Sequence, residues 1–208
     1  MLAHLWRRKF KRDIVIVSGL PRSGTSLMMQ MLAAGGMTLL TDGKRDADEN
    51  NPRGYYEYEP VKRLAYGDHA WLKHAQNKAV KVVSPLLHHL PPIWTYRVVF
   101  MRRSIEEIIA SQHSMTRILT QDHKPANQED NSVSQVETYD EYEHHLLNSQ
   151  RWLQRQTHIN FVNIHYGHLL TDPLHGCQSI AHFLSDQQLD IQAMQTVIEP
   201  TLHRHRKT

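Results

Sequence analysis

The sequence predicts an α/β fold with a mostly parallel central sheet, and two observations support this prediction. Several apolar segments are continuous, as at residues 14–17, whereas a strand with one solvated face would alternate apolar and polar residues. These segments are separated by stretches with helical periodicity, an order typical of a sheet covered by helices on both faces. The predicted strands comprise residues 13–18, 79–83, 96–101 and 160–165, with a weaker one at 37–40.

A glycine-bearing loop follows the first of these strands. Gly19 and Gly24 permit backbone conformations that a Cβ atom would disfavour, and residues 27–32 form a strong helical segment that Gly35 can end. Free backbone N–H groups at the start of such a helix bind anions, with help from the helix dipole. The strand, the loop and the helix therefore predict a site for a phosphate or a sulfate ester.

The loop differs from an ordinary ATP-binding loop. The nucleotide P-loop carries a lysine directly after its second glycine, where this chain has Thr25. Arg22 supplies a cation inside the loop instead, and its planar guanidinium can bind two oxygens of an anion. A standard ATPase is therefore disfavoured. Two alternatives stay open: a nucleotide or nucleoside kinase with an atypical loop, and a noncatalytic nucleotide-binding protein.

Residues 21–26, Pro-Arg-Ser-Gly-Thr-Ser, resemble the 5′-phosphosulfate loop of sulfotransferases that use 3′-phosphoadenylyl sulfate (PAPS). The resemblance implies a P-loop-NTPase-like three-layer fold, PAPS as cosubstrate and no metal. It also implies a catalytic and cofactor-binding role for Arg22, near the bridging oxygen of the phosphosulfate. The 5′-phosphate would then be held by backbone N–H groups of Ser23, Gly24, Thr25 and Ser26.

A second segment matches the same family. Sulfotransferases carry an arginine at a strand end and a serine eight residues later, both for the 3′-phosphate of PAPS, and Arg103 and Ser111 fit this spacing. A helix is predicted to open near Ser104. Eight residues along a helix return to within about a quarter turn, so Ser111 can share a side with the long side chain of Arg103.

A third segment brings the resemblance to about residue 184. Residues 166–173 and 180–184 look like the late tyrosine, leucine and Asp-Pro segment of the family, with its Phe-Leu helix. Asp172 is a favourable N-cap and Pro173 a favourable first helical residue, so a helix is predicted to begin there.

The sequence leaves the catalytic base open among several residues. Glu57 is the first choice, and Glu59 lies in the same run of tyrosines and acids, where a partly desolvated carboxylate suits general-base work. His88 is the second choice, because residues 81–88 loosely resemble the Lys-Thr-His region of cytosolic sulfotransferases, although the histidine is displaced. Lys81 in this segment could reach the sulfate or the phosphates, but a lysine at a strand end is more often solvated.

Composition favours one domain over residues 13–208, after a basic tail at 1–12. The tail holds five Lys or Arg and no acid, which leaves 19 cations against 21 acids in the remainder. No basic face for nucleic acid is evident, and we interpret the tail as solvated rather than as a membrane contact. A single cysteine and no long apolar span predict a cytoplasmic protein.

The acceptor is not named by the sequence, and a small molecule or a glycan would both suit the predicted chemistry. The polar stretch at 121–134, which contains Pro125, is predicted to be a loop or lid that helps to select the acceptor. The sixteen histidines form no recognised metal-binding pattern, so no metal site is expected. The sequence gives no prediction of the oligomeric state.

Overall fold

The computed structural model describes residues 13–48, 51–119 and 130–199. Its strands are β1 (Ile14–Gly19), β2 (Ala79–Lys81), β3 (Tyr96–Arg102) and β4 (Ile159–His165). Its α-helices are α1 (Thr25–Ala34), α2 (Ile105–Leu119), α3 (Asp130–Arg155), α4 (Tyr166–Thr171), α5 (Pro173–Phe183) and α6 (Ile191–Thr196). Three 3-10 helices lie at Glu59–Tyr66, Ala70–His74 and Ser84–His89.

The four strands form one sheet in the order β2-β1-β3-β4, and every neighbouring pair is parallel. All six residues of β1 are buried, which explains why this strand is continuously apolar up to Val17. The predicted α/β fold with a mostly parallel sheet is therefore confirmed. Because β1 lies between β2 and β3, residues that follow these three strands meet at one edge of the sheet.

Two apolar layers cover the sheet. On one face, Ile16, Val98 and Phe100 pack with residues of α2, α3 and the 3-10 helices. On the other face, Val15 and Val17 pack with residues of α1, α5 and α6. Burying an apolar side chain of this size stabilises the folded state by about 1.5–3 kcal/mol. Packing on the two faces therefore holds α1 and α2 against the sheet.

Some predicted boundaries are wrong. In the segment predicted as a weak strand, residues 37–40, only Leu39 makes a bridge, with Ala79. The strand β2 ends at Lys81 rather than at Val83, and a 3-10 helix with Pro85 in its first turn begins at Ser84. The predicted loop at 121–134 is wrong for residues 130–134, because α3 begins at Asp130. Polar composition alone does not stop a helix, and Pro125 lies before this one. Residues 120–129 and the tail at 1–12 lie outside the described residues.

The predicted start of α5 is confirmed. Asp172 caps the helix by accepting a hydrogen bond from the backbone N–H of His175 at 3.1 Å, and Pro173 is the first helical residue. Cys177 and Ile180 then face the core. Among the helices that the structure describes, none is long and apolar enough to cross a membrane.

Candidate active site

A cavity of about 450 Å³ opens at the carboxyl edge of the sheet. The volume lies in the range of about 300–1,000 Å³ that is usual for small-molecule sites, and this edge is where parallel α/β sheets bind ligands. The lining comes from the loop after β1, from α1, from Arg45 and the segment 51–57, from the end of β2 and from residues that follow β3. Its charged and tyrosine side chains are Arg22, Arg45, Tyr55, Glu57, Lys81, Arg103, Tyr166 and Glu199.

The anion loop, residues 19–26, has a shape that requires glycine at two positions. Gly19 has φ +147°, and a Cβ atom there would lie 2.7 Å from the carbonyl oxygen of Met101. Gly24 has φ +99°, and a Cβ atom there would lie 2.5 Å from the ring of Tyr166. Both conformations disfavour any other residue, so the loop can approach β3 and α4 this closely only with glycine.

The anion loop presents donors at the start of α1. Gly24 occupies the N-cap position, where no side chain caps the helix. The first N–H groups of a helix have no intrahelical acceptor, so those of Thr25 and Ser26 are available to a ligand. The N–H of Ser23 is different, because it donates to the carbonyl oxygen of Leu20 at 3.1 Å.

Arg22, Arg103 and Ser111 lie together beside the anion loop. Arg22 Nε donates to Ser111 Oγ at 3.0 Å, and Arg103 Nη1 donates to the carbonyl oxygen of Arg22 at 3.1 Å. Arg103 is held by two further contacts: its Nε donates to Glu107 Oε2 at 2.8 Å, and its guanidinium lies 4.5 Å from the centre of the Tyr166 ring. Burial lowers the pKa of the Arg22 guanidinium, which nevertheless stays charged.

Lys81 reaches the cavity from the end of β2. Its Nζ donates to the carbonyl oxygen of Tyr55 at 2.9 Å and to Ser26 Oγ at 3.2 Å. Burial is the main reason that the pKa of Lys81 is lowered from 10.5 to about 8, while the negative charge of Glu57 opposes this effect. The amine is therefore mostly charged at neutral pH, and burying this charge lowers the stability of the folded state.

Glu57 faces the cavity within a network of charged and aromatic side chains. Its Oε1 accepts a hydrogen bond from Arg45 Nη1 at 2.8 Å, and the Arg45 guanidinium lies 3.3 Å from the centre of the Tyr55 ring. The Tyr55 hydroxyl donates to Asp48 Oδ2 at 2.7 Å. Burial, followed by this hydrogen bond, raises the pKa of Tyr55. The network fixes the carboxylate of Glu57 at the cavity wall.

Comparison with known families gives the family of the chain. The sulfotransferase domain family matches residues 11–205. The chain belongs to that family. The resemblance seen in residues 21–26 is thus confirmed at the level of the family. Comparison with curated proteins found no significant match.

Solved structures resemble this sulfotransferase at low sequence identity. The sulfotransferase domain of the Synechococcus PCC 7002 olefin synthase is 14% identical, with a TM-score of 0.48, over 94% of this chain and 84% of that one. The sulfotransferase domain of the curacin biosynthetic pathway is 14% identical, with a TM-score of 0.45, over 84% and 74%. A sugar kinase from a Janibacter species is 14% identical, with a TM-score of 0.38, over 94% and 99%.

The structure brings most of the predicted site residues of the sulfotransferase to one cavity. Arg22, Gly24, Thr25 and Ser26 line it, as do Arg103, Ser111 and Glu57. Ser23 is buried and does not line the cavity. Glu59 does not line the cavity, and its carboxylate pairs with Lys62 at 2.9 Å instead.

His88 lies away from the cavity. It belongs to the 3-10 helix Ser84–His89, and the centre of its ring lies 4.6 Å from that of Trp152 in α3. Burial, with a contribution from His89, lowers the pKa of His88. The structure therefore places Glu57, and not His88, beside the cations.

Sequence reasoning missed Arg45 and Asn51, which both line the cavity. Asn51 Nδ2 donates to Ser26 Oγ at 3.0 Å, so it ties the segment 51–57 to the anion loop. These side chains come from irregular segments with no periodicity. The one sequence feature that could have indicated them is that both lie within about a dozen residues of Glu57.

Proposed function

We propose that this sulfotransferase moves a sulfuryl group from PAPS to a hydroxyl or an amine of a small-molecule or glycan acceptor. The observation that carries the proposal is the convergence of Arg22, Lys81 and Arg103 on one cavity at the start of α1. PAPS carries two phosphate groups and a sulfate, so it needs several cations aimed at one site. After residue 12, Lys and Arg do not outnumber Asp and Glu. The cations at the cavity are therefore a local concentration and not part of a generally basic surface.

Each group of the donor has a matching set of residues. The 5′-phosphate would bind at the start of α1, where Gly24, Thr25 and Ser26 present their backbone. The 3′-phosphate would bind Arg103, whose guanidinium is already oriented by Glu107 and Tyr166. Preorientation reduces the entropy lost when the ligand binds.

The chemistry needs a base and positive charge. PAPS supplies the sulfuryl group, and its departing phosphate gains negative charge as the transfer proceeds. Glu57 is the proposed base, because its carboxylate faces the cavity and can accept the proton of an acceptor hydroxyl. Arg22 and Lys81 face the same cavity and stabilise negative charge there.

The residues at the end of β3 argue against the kinase alternative. A kinase of this fold would place an acidic side chain there to hold Mg²⁺, whereas β3 ends at Arg102 and Arg103 follows it. Thr25 also replaces the P-loop lysine. Within the described residues, no three His, Cys, Asp or Glu side chains cluster as metal ligands. As the loop motif implies, the proposal needs no metal in the reaction, and it keeps the cytoplasmic location that the single cysteine predicts.

The experiment that tests this function measures 3′-phosphoadenosine 5′-phosphate formed from PAPS, by chromatography, in the presence of pooled alcohols, phenols, amines and sugars. The proposal predicts release that depends on an acceptor and that is lost in Glu57→Gln. Glu59→Gln is the matched control, since Glu59 pairs with Lys62 outside the cavity. Transfer of phosphate from ATP, without turnover of PAPS, would contradict the proposal.

A further inference from the structure

Three basic side chains lie together at the ends of β3 and β4, outside the cavity. Arg102 is the last residue of β3, and its register partner is His165, the last residue of β4. Register partners point to the same face of a sheet, and neighbouring strands lie about 4.8 Å apart. His168 of α4 joins them, because the centre of its ring lies 5.1 Å from that of His165. We call Arg102, His165 and His168 the basic cluster, and none of them lines the cavity.

Arg102 has no partner for its charge in the part of the chain that the structure describes. Its side chain is partly buried, and burial lowers the pKa of its guanidinium. No described acceptor forms a hydrogen bond with the guanidinium, and no described carboxylate pairs with it. A charge that is removed from water without a partner destabilises the folded state. The side chain of Arg102 is therefore suited to an anion from outside the chain.

The other arginines with a described side chain differ from Arg102. Most of them donate a hydrogen bond to an oxygen atom, namely Arg22, Arg45, Arg53, Arg63, Arg97 and Arg103. Arg151 and Arg155 are exposed, so water satisfies their charge. Glu107, in the first turn of the helix after β3, is already bound to Arg103 at 2.8 Å. Partial burial without an acceptor thus distinguishes Arg102 from the other arginines whose side chains the structure describes.

The histidines add to the positive character of the basic cluster. Burial, followed by the charges of His168 and Arg102, lowers the pKa of His165. No described Asp or Glu of α2, α3, α4 or α5, the helices around β3 and β4, is among the charges that act on His165. A bound anion would favour the protonated imidazole, so affinity for anions should rise as the pH falls through about 6.5.

We propose that the basic cluster binds a tetrahedral oxyanion, a sulfate or phosphate group, either as the free ion or as an ester. The planar guanidinium of Arg102 can donate to two oxygens of such a group, while His165 donates to a third. A planar carboxylate offers only two oxygens, so it matches donors on two strands and a helix less well. The site lies outside the cavity, and the inference does not depend on the proposed function.

NMR of the imidazole protons of His165 tests this site. Inorganic sulfate is the probe, sodium chloride at equal ionic strength is its control, and excess 3′-phosphoadenosine 5′-phosphate occupies the cavity. The resonance of His165 is the one that disappears in His165→Gln. Sulfate should raise the midpoint of the His165 titration by at least about half a pH unit. Sulfate should then bind at least about threefold more tightly at pH 5.5 than at pH 7.5, because the two effects are linked.

Arg102→Met separates a binding role from a structural one. It should weaken sulfate by at least about tenfold and remove the change in the His165 midpoint. In chloride alone, this variant should be at least as stable to urea as the wild type, because methionine keeps an apolar stem and removes an unpaired charge. Arg63→Met is the matched control, since Arg63 pairs with Asp68, and it should bind sulfate like the wild type.

The inference would be overturned if Arg102→Met kept the response of His165 to sulfate, or if chloride produced the same response. It would also be overturned if Arg102→Met were less stable than the wild type in chloride. If Arg102→Met does not fold, His165→Gln provides the second measurement: calorimetry should show weaker binding of sulfate at pH 5.5 and binding within about twofold of the wild type at pH 7.5. Equal binding at both pH values would contradict the assignment.

Glucose 6-sulfate distinguishes the two sources of the anion. Binding as tight as that of inorganic sulfate indicates an ester, binding of inorganic sulfate alone indicates the free ion, and binding of neither overturns the inference. Failure of the proposed function is distinguishable, because the response is measured at His165. A protein that does not bind 3′-phosphoadenosine 5′-phosphate would still show this response.

Discussion

Replacing Lys81 by methionine should stabilise the protein while weakening donor binding. The side chain is mostly buried, and lowering its pKa from 10.5 to about 8 corresponds to roughly 3 kcal/mol against the charged form in the folded state. Methionine removes this cost and fills a similar volume. It also removes the hydrogen bonds to Ser26 Oγ and to the carbonyl oxygen of Tyr55, which contribute about 1 kcal/mol each.

The net gain at neutral pH is therefore on the order of 1 kcal/mol, or about 2–4 °C in Tm for a chain of this size. The gain should depend on pH in a defined direction. The folded protein binds fewer protons at Lys81 than the unfolded chain does between about pH 8 and 10.5, so the wild type gains stability as the pH rises through this window. The advantage of Lys81→Met is complete below about pH 8, vanishes within this window, and becomes a deficit of about 2 kcal/mol towards pH 10.5, where only the loss of the two hydrogen bonds remains.

Urea denaturation of both proteins at pH 7 and at pH 10 measures this difference directly. Lys62→Met is the matched control, because Lys62 is an exposed lysine paired with Glu59. The reasoning would be refuted if Lys81→Met were less stable than the wild type at pH 7. It would also be refuted if the difference between the two proteins were the same at both pH values.

Three further predictions concern the cavity. Glu57→Gln should lower sulfuryl transfer by about 100-fold or more while leaving binding of 3′-phosphoadenosine 5′-phosphate within about threefold, measured by steady-state kinetics and titration; an equal loss in Glu59→Gln would contradict the assignment. Gly24→Ala should destabilise the fold by at least about 1–2 kcal/mol, since its Cβ atom would need φ +99° and would lie 2.5 Å from the Tyr166 ring; an unchanged midpoint of urea denaturation would show that the loop has another shape. Arg103→Ala should weaken 3′-phosphoadenosine 5′-phosphate by about 10- to 100-fold more than AMP, because a charge-assisted contact is lost; equal weakening of both ligands would exclude Arg103 from the 3′-phosphate site.

The shape of the anion loop and the position of Arg103 after a strand could be predicted because both depend on local sequence. Gly19 and Gly24 are needed for backbone conformations that few other residues adopt, so the residues themselves reveal the loop. The parallel sheet could be predicted for a similar reason, because β1 is buried on both faces and is apolar throughout most of its length.

The burial of Lys81 could not be read from its sequence context. A lysine after a short strand is usually solvated, and this one is buried only because β2 pairs with β1 beside the anion loop. Sheet order is a property of the whole fold. The contact between Arg22 and Ser111 was hidden for the same reason, since 89 positions in the chain separate the two residues.

The start of α3 shows a different limit. The stretch from residue 121 is polar and contains Pro125, which favoured a loop, yet the helix begins at Asp130. Proline marks where a helix cannot continue, but it does not mark how soon the next one starts. The boundaries of an element depend on packing against neighbours that the local sequence does not reveal.

The central claim is that the cavity binds a 3′-phosphorylated adenine nucleotide as part of sulfuryl transfer. The most direct test is thermal stabilisation of the purified protein by 3′-phosphoadenosine 5′-phosphate, beside AMP, ADP, and ATP with Mg²⁺ at equal concentrations. The account predicts a rise in Tm that is largest for the 3′-phosphorylated nucleotide and that needs no metal. A larger rise with ATP and Mg²⁺ would contradict it.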